Sequence, residues 1–175
     1  NRERFVLVAA KDKEFDFSKV LKKEKVFLKD FLDTDAEFEF LDKSEYTLLD
    51  NNQMKKQSSG LIFSGYRNKP IRKVGVRENT LHLSRVHKQP NRIYSDQGVH
   101  PTLNSQETSG RYFISTSNGV RKLTLKECYR IMGFPDNFKL LGPKTQDYRR
   151  IGNSVCVPMI EEVAKAIKNE FFSVK

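Results

Sequence analysis

From Arg121 onward the chain reads as two helices with apolar faces. Thr124 and Glu127 stand at the spacing of a capping box, in which each side chain satisfies a free amide at the helix start. Leu125, Cys128, Tyr129 and Met132 follow at i, i+3, i+4 and i+7, and Gly133 and Pro135 end the run. A second helix is expected from about Pro158 to Phe171. Its apolar residues Ile160, Val163, Ala164, Ile167 and Phe171 share one face, with Glu161, Glu162, Lys165 and Lys168 opposite. One-faced helices of this kind imply packing against the rest of the chain, and by themselves nothing more.

The preceding residues carry β rather than helical signals. Leu61–Phe63 reads as a strand ending near Gly65. Arg92–Ser95 reads as a strand entering a tight turn at Asp96-Gln97-Gly98, and Thr102-Leu103 and Arg111–Thr116 are further candidates. Upstream, Val26–Leu32 and Tyr46–Leu49 are short candidate elements, and Asn51–Gly60 is loop-like. Phe5–Ala10 is apolar throughout and reads as a fully buried strand. Such a strand needs neighbours on both sides, so the expectation is a piece of something larger or one subunit of a split protein. Apolar faces along Phe5–Ala10 and Ile160–Phe171 should then be exposed in the isolated chain. The residues thus give a β-rich middle and helices at the end.

The net charge of +10 is unevenly placed, because residues 1–50 carry 13 acidic and 10 basic side chains and leave the surplus to residues 51–175. The basic stretch Ser64–Ser95 holds Arg67, Arg72, Lys73, Arg77, Arg85 and Arg92 among others, against Glu78 alone. A polyanion partner accounts for this as well as a solvated basic face does. Cys128 and Cys156 form neither a disulfide framework nor a zinc spacing, and both are expected as buried free thiols in a reducing, cytoplasmic setting. His82, His87 and His100 lack metal or dyad spacing and suit surface or nucleic-acid contact better. Tyr66, Tyr94 and Tyr112 suit stacking on bases or sheet packing equally. No apolar run reaches membrane-spanning length. Arg2 and Arg4 alternate ahead of the apolar run, and two guanidiniums at a buried strand end call for an anion or a wet cleft. Gly152-Asn153-Ser154 before the last helix reads either as a helix cap or as a ligand-facing turn.

Four ordered blocks then resemble the cytosine-C5 DNA methyltransferases. Asn1-Arg2-Glu3-Arg4 and its strand are similar to the family's eighth motif. Arg92-Ile93-Tyr94-Ser95 with Gly98 and Thr102-Leu103 is similar to the signature of its target recognition domain. Arg121–Phe138 resembles the ninth motif and Gly152-Asn153-Ser154-Val155 the tenth. The resemblance implies part of an S-adenosylmethionine-dependent methyltransferase domain plus a small β-rich recognition domain. Residues 1–33 would close the catalytic α/β domain and lead out of it, 34–120 would form the recognition domain, and 121–175 would return to the catalytic domain.

The resemblance also implies roles. Arg4, with Arg2 nearby, would support the flipped cytosine; Asn153, Ser154 and Val155 would contact S-adenosylmethionine; and Arg92, Tyr94, Ser95 and Thr102 would face duplex DNA. In such enzymes a thiolate attacks C6 of a cytosine flipped out of the duplex, and C5 takes the methyl group. The Pro-Cys-Gln setting of that thiolate surrounds neither Cys128 nor Cys156. The chain is therefore expected to be inactive alone, to need an N-terminal half or partner subunit, and to serve a restriction–modification system. A stand-alone DNA-binding module and an RNA-directed relative are the alternatives.

Overall fold

The computed structural model describes residues 5–11, 13–71, 79–105 and 112–172. Its centre is a five-stranded sheet of β1 (Tyr46–Leu48), β2 (Phe63–Arg67), β3 (Arg92–Ser95), β4 (Phe113–Thr116) and β5 (Gly119–Lys122), in that spatial order. All neighbours are antiparallel except β3 and β4, which run parallel with Ile93 opposite Phe113. Phe40 bridges Arg121 on β5 while Tyr46, a few residues on, pairs with Arg67 on β2. One short run thus touches both ends of the strand order, and the sheet curls. Curling leaves an inner face for Ile93, Phe113 and Val120, and a second cluster of Leu49, Phe63, Tyr94 and Tyr112 on the other side.

Three helices follow: α1 (Leu125–Ile131), α2 (Lys144–Asn153) and α3 (Val157–Phe171). The expected capping box forms at α1, where Glu127 N donates to Thr124 Oγ1 at 3.1 Å and Thr124 N donates to Glu127 Oε2 at 2.7 Å. Gly133 ends it at φ +85°, the left-handed region open to glycine. A Cβ there would collide with the Pro158 ring, so Gly133 also lets the end of α1 meet the start of α3, where Val157 N donates to Met132 O at 2.9 Å. Leu28, Leu103, Ile114, Leu123, Cys128, Tyr129, Tyr148 and Ile151 form the main core, which joins sheet, α1 and α2.

Phe5–Ala10 forms no strand with the described elements, and Phe5 and Leu7 stand 90% and 77% exposed, as expected of an apolar face left open in the isolated chain. A run apolar on both faces needs two covering layers, and nothing described supplies them. Other expectations change. Thr102-Leu103 forms no strand; Leu103 drops into the core from a loop. On α3 the buried residues are Glu162, Val163 and Ala166, while Ile160 is 41% exposed. The helix turns its charged edge inward because Lys23 reaches Glu162 at 3.1 Å and Lys19 reaches Glu170 at 3.0 Å. Helix α2 and strand β5 carry no earlier assignment. Pro143, then Tyr148 and Ile151 at helical spacing, is the sign of α2 that the sequence does contain.

A buried ion pair ties these parts together. Arg121 on β5 donates to both carboxylate oxygens of Glu127 at 2.8 and 2.7 Å, with the guanidinium 3.8 Å from the Phe38 ring centre. The same carboxylate accepts from Asp33 N at 2.9 Å. Burial alone would raise the Glu127 pKa, but the Arg121 guanidinium and the two backbone amides outweigh it and hold the group below its ordinary value.

Candidate functional site

A cleft of about 810 Å³ opens between the sheet and the helix pair. Its walls come from Gln57–Leu61, β3, the loop 99–104, the end of α1, and the residues joining α2 to α3. Of the expected DNA-facing residues, it gathers Arg92, Tyr94 and Thr102; of the expected cofactor residues, it gathers Ser154 and Val155. No acidic side chain lines it, and Arg92 is its single cation among the described residues.

Each side chain is placed by local chemistry. Arg92 donates from Nε to the His87 carbonyl at 3.1 Å, which fixes its stem at the edge of β3. Tyr94 is buried at the floor, edge-on to Phe63 at 6.1 Å and to Tyr112 at 5.5 Å. Burial raises the Tyr112 pKa, with neighbouring Tyr94 adding to the effect, so the phenol stays protonated at neutral pH. Tyr94 and Tyr112 thus pack into a core cluster and also line the cleft. Ser95 lies outside the cleft: its hydroxyl accepts from Gln97 N at 3.2 Å and shapes the turn after β3.

The glycine of Gly152-Asn153-Ser154-Val155 has a steric reason. A Cβ on Gly152 would strike the carbonyl of Asn104, so only glycine lets α2 lie against the backbone that follows Thr102. Asn153 is the last residue of α2 and is exposed, away from the cleft lining. Ser154 donates from Oγ to Ile151 O at 2.7 Å. It therefore closes the end of α2 and does not cap α3, whose N-cap Cys156 makes no side-chain capping bond. Val155 is 37% exposed at the rim.

Arg2 and Arg4 lie outside the described residues. Cys128 is buried, whereas Cys156 is only half-buried and lines the cleft. His87 is not a surface residue: it is 1% exposed, stacked 4.2 Å from Tyr66, with Nε2 donating to Leu81 O at 2.7 Å. Desolvation lowers its pKa, Arg92 adds to this, and the Leu81 carbonyl opposes. His100, expected at the surface or against nucleic acid, lines the cleft, and so do Gln57, Gln89 and Asn104, which carry no sequence signal. Lone polar residues in irregular loops have no spacing rule to reveal them. No group of three or more metal-suited side chains occurs among the described residues, and no described helix is long and apolar enough to cross a membrane.

Curled sheet, helix pair and shared cleft together make a mixed α/β unit. The chain belongs to the C-5 cytosine-specific DNA methylase family, whose model matches residues 1–169. It is 30% identical over 174 residues to the type II methyltransferase M.HhaI of Haemophilus parahaemolyticus, covering 93% of this chain and 47% of that protein. Over 62 residues it is 42% identical to M.MspI of a Moraxella species, 35% of this chain and 15% of that protein. Over 74 residues it is 40% identical to M.Bsp6I of a Bacillus species, 39% of this chain and 23% of that protein. The chain therefore spans less than half the length of these relatives.

Proposed function

We propose that the chain is the DNA-recognition part of a DNA (cytosine-5-)-methyltransferase of a restriction–modification system. The observation that carries this reading is the shared cleft, where Arg92, Tyr94 and Thr102 meet Ser154 and Val155. Arg92 suits a phosphate or a guanine edge, and Thr102 suits the backbone beside the flipped nucleotide. Ser95 ends β3 beside the adjoining turn and reaches DNA only from outside the cleft. Arg2 and Arg4 remain the candidates for supporting the flipped cytosine.

The exposed Asn153 amide and Val155 side chain fit one wall of an S-adenosylmethionine site, and Ser154 Oγ keeps acceptor capacity after its bond to Ile151. The cofactor, when bound, supplies an electrophilic methyl group. The opposite wall and the nucleophilic thiolate belong to a half bearing Pro-Cys-Gln, so the chain is inactive alone. Exposed Phe5, Leu7 and Ile160 supply apolar surface for that half.

Mixing the chain with such a half and following labelled methyl transfer to duplex DNA tests the reading. Transfer that requires both parts supports it. Selective DNA binding by the chain alone, with no transfer from any mixture, points to a stand-alone binding module. Transfer to tRNA in preference to duplex DNA points to an RNA-directed relative.

A further inference from the structure

His100 is part of the wall between the cleft and an apolar groove on the far side, which Val26, Leu28, Ile131 and Met159 help to line. Both its ring nitrogens are inaccessible to solvent and neither has a hydrogen-bond partner among the described residues. Its ring lies 6.0 Å from that of Tyr112, tilted by 59°. Buried polar groups in folded proteins are almost always paired, and an unpaired one lowers stability. Phenylalanine or leucine would fill this place without that cost. A polar residue kept there against stability, at the wall of the one cleft where the candidate site residues meet, has the character of a binding group.

We propose that His100 is a specificity-determining residue of the cleft, hydrogen-bonding an uncharged edge of a nucleobase in the bound DNA. This rests on the DNA-recognition reading above. Contact with a base requires the ring to turn about its Cβ–Cγ bond so that a nitrogen faces the cleft it lines. The neighbouring chemistry fits a base edge and not a phosphate: Gln57, Gln89 and the hydrogen-bonded Asn104–Tyr112 pair bring amides and a phenol to the lining, and among the described residues no cation besides Arg92 lines the cleft. Desolvation holds the imidazole pKa down at about 4, with the Pro101 carbonyl opposing. The ring is thus neutral at physiological pH, with one donor and one acceptor. A phosphate would call instead for an imidazolium.

Selection of bound sequences from a random duplex library tests this with the full chain and its His100→Phe and His100→Ala variants. Both variants should keep general duplex affinity and its salt dependence, which phosphate contacts set. Both should lose preference at one base position by about 5- to 100-fold, the discrimination of one good base contact. His100→Phe should also melt at or above the wild-type temperature. An unchanged base profile in a folded variant overturns the proposal, as does unfolding of both variants, which would make His100 a packing residue. A wild-type chain with no base preference at all overturns the DNA-recognition reading itself, and this is distinguishable because the variants are then not needed to see it.

Discussion

Replacing Arg121 with methionine isolates the buried pair at the start of α1. The Glu127 carboxylate is 0% exposed and accepts four hydrogen bonds, two from Arg121, one from Thr124 N and one from Asp33 N. Methionine keeps much of the side-chain volume but leaves a buried carboxylate held by two backbone amides. Breaking one partner out of such a pair costs about 3–5 kcal/mol. At about 2–4 °C per kcal/mol for a chain of this size, Arg121→Met should melt roughly 6–20 °C below wild type. The cost should depend on pH in a defined direction. In the wild type the folded Glu127 pKa lies below its ordinary value of 4.5, so the pair's contribution is complete above that value and is lost as pH falls through the folded pKa. In Arg121→Met, burial dominates and raises the Glu127 pKa, so the variant is worst at neutral pH and recovers relative to wild type on acidification. Urea unfolding followed by circular dichroism at pH 7 and pH 4.5 reads both effects. A loss under about 1 kcal/mol at pH 7, or a gap that widens at pH 4.5, refutes this account of the pair. Arg121→Met/Glu127→Gln should recover part of the loss, because the amide oxygen still accepts from one of the two backbone donors.

Gly152→Ala should push α2 off the Asn104 backbone, destabilise the chain by about 1–3 kcal/mol in thermal melts, and reduce complemented methyl transfer more than it reduces stability. Thr124→Ala removes the cap of α1 and should cost about 1 kcal/mol, measured by denaturant titration, with Thr124→Ser restoring most of it. The His87 imidazole, held below 6.5 by desolvation, contributes stability that is present above pH 6.5 and lost as pH falls through its folded pKa. His87→Phe should flatten the stability profile on that acid side, and a ring titration by NMR at or above 6.5 would contradict the burial seen for this residue.

Helix α1, strand β3 and the start of α3 could be read from the residues because their causes are local. The Thr124–Glu127 box, the Gly133 stop, the Pro158 start and the turn after Ser95 all act within one or two turns of chain. The family resemblance was legible for a related reason, since short blocks keep their order whatever the loops between them do. Strand β5 was hidden because Val120-Arg121 reads as a strand only when β4 lies beside it. The buried edge of α3 was misjudged because Lys19 and Lys23, more than a hundred residues away in sequence, draw Glu162 and Glu170 inward.

By itself the sequence determined the ends of α1, the start of α3, a β-rich middle followed by helices, the basic surplus and the family. Tertiary structure alone decided that Arg92, Thr102, Ser154 and Val155 share one cleft, that Ser154 closes α2, that Ser95 and Asn153 stand outside the cleft, and that both ring nitrogens of His100 are enclosed without a hydrogen-bond partner. The physical reason is range. Capping, turns and periodicity are set by neighbours in the chain, whereas desolvation, close backbone approach and cleft lining depend on which distant segments pack together.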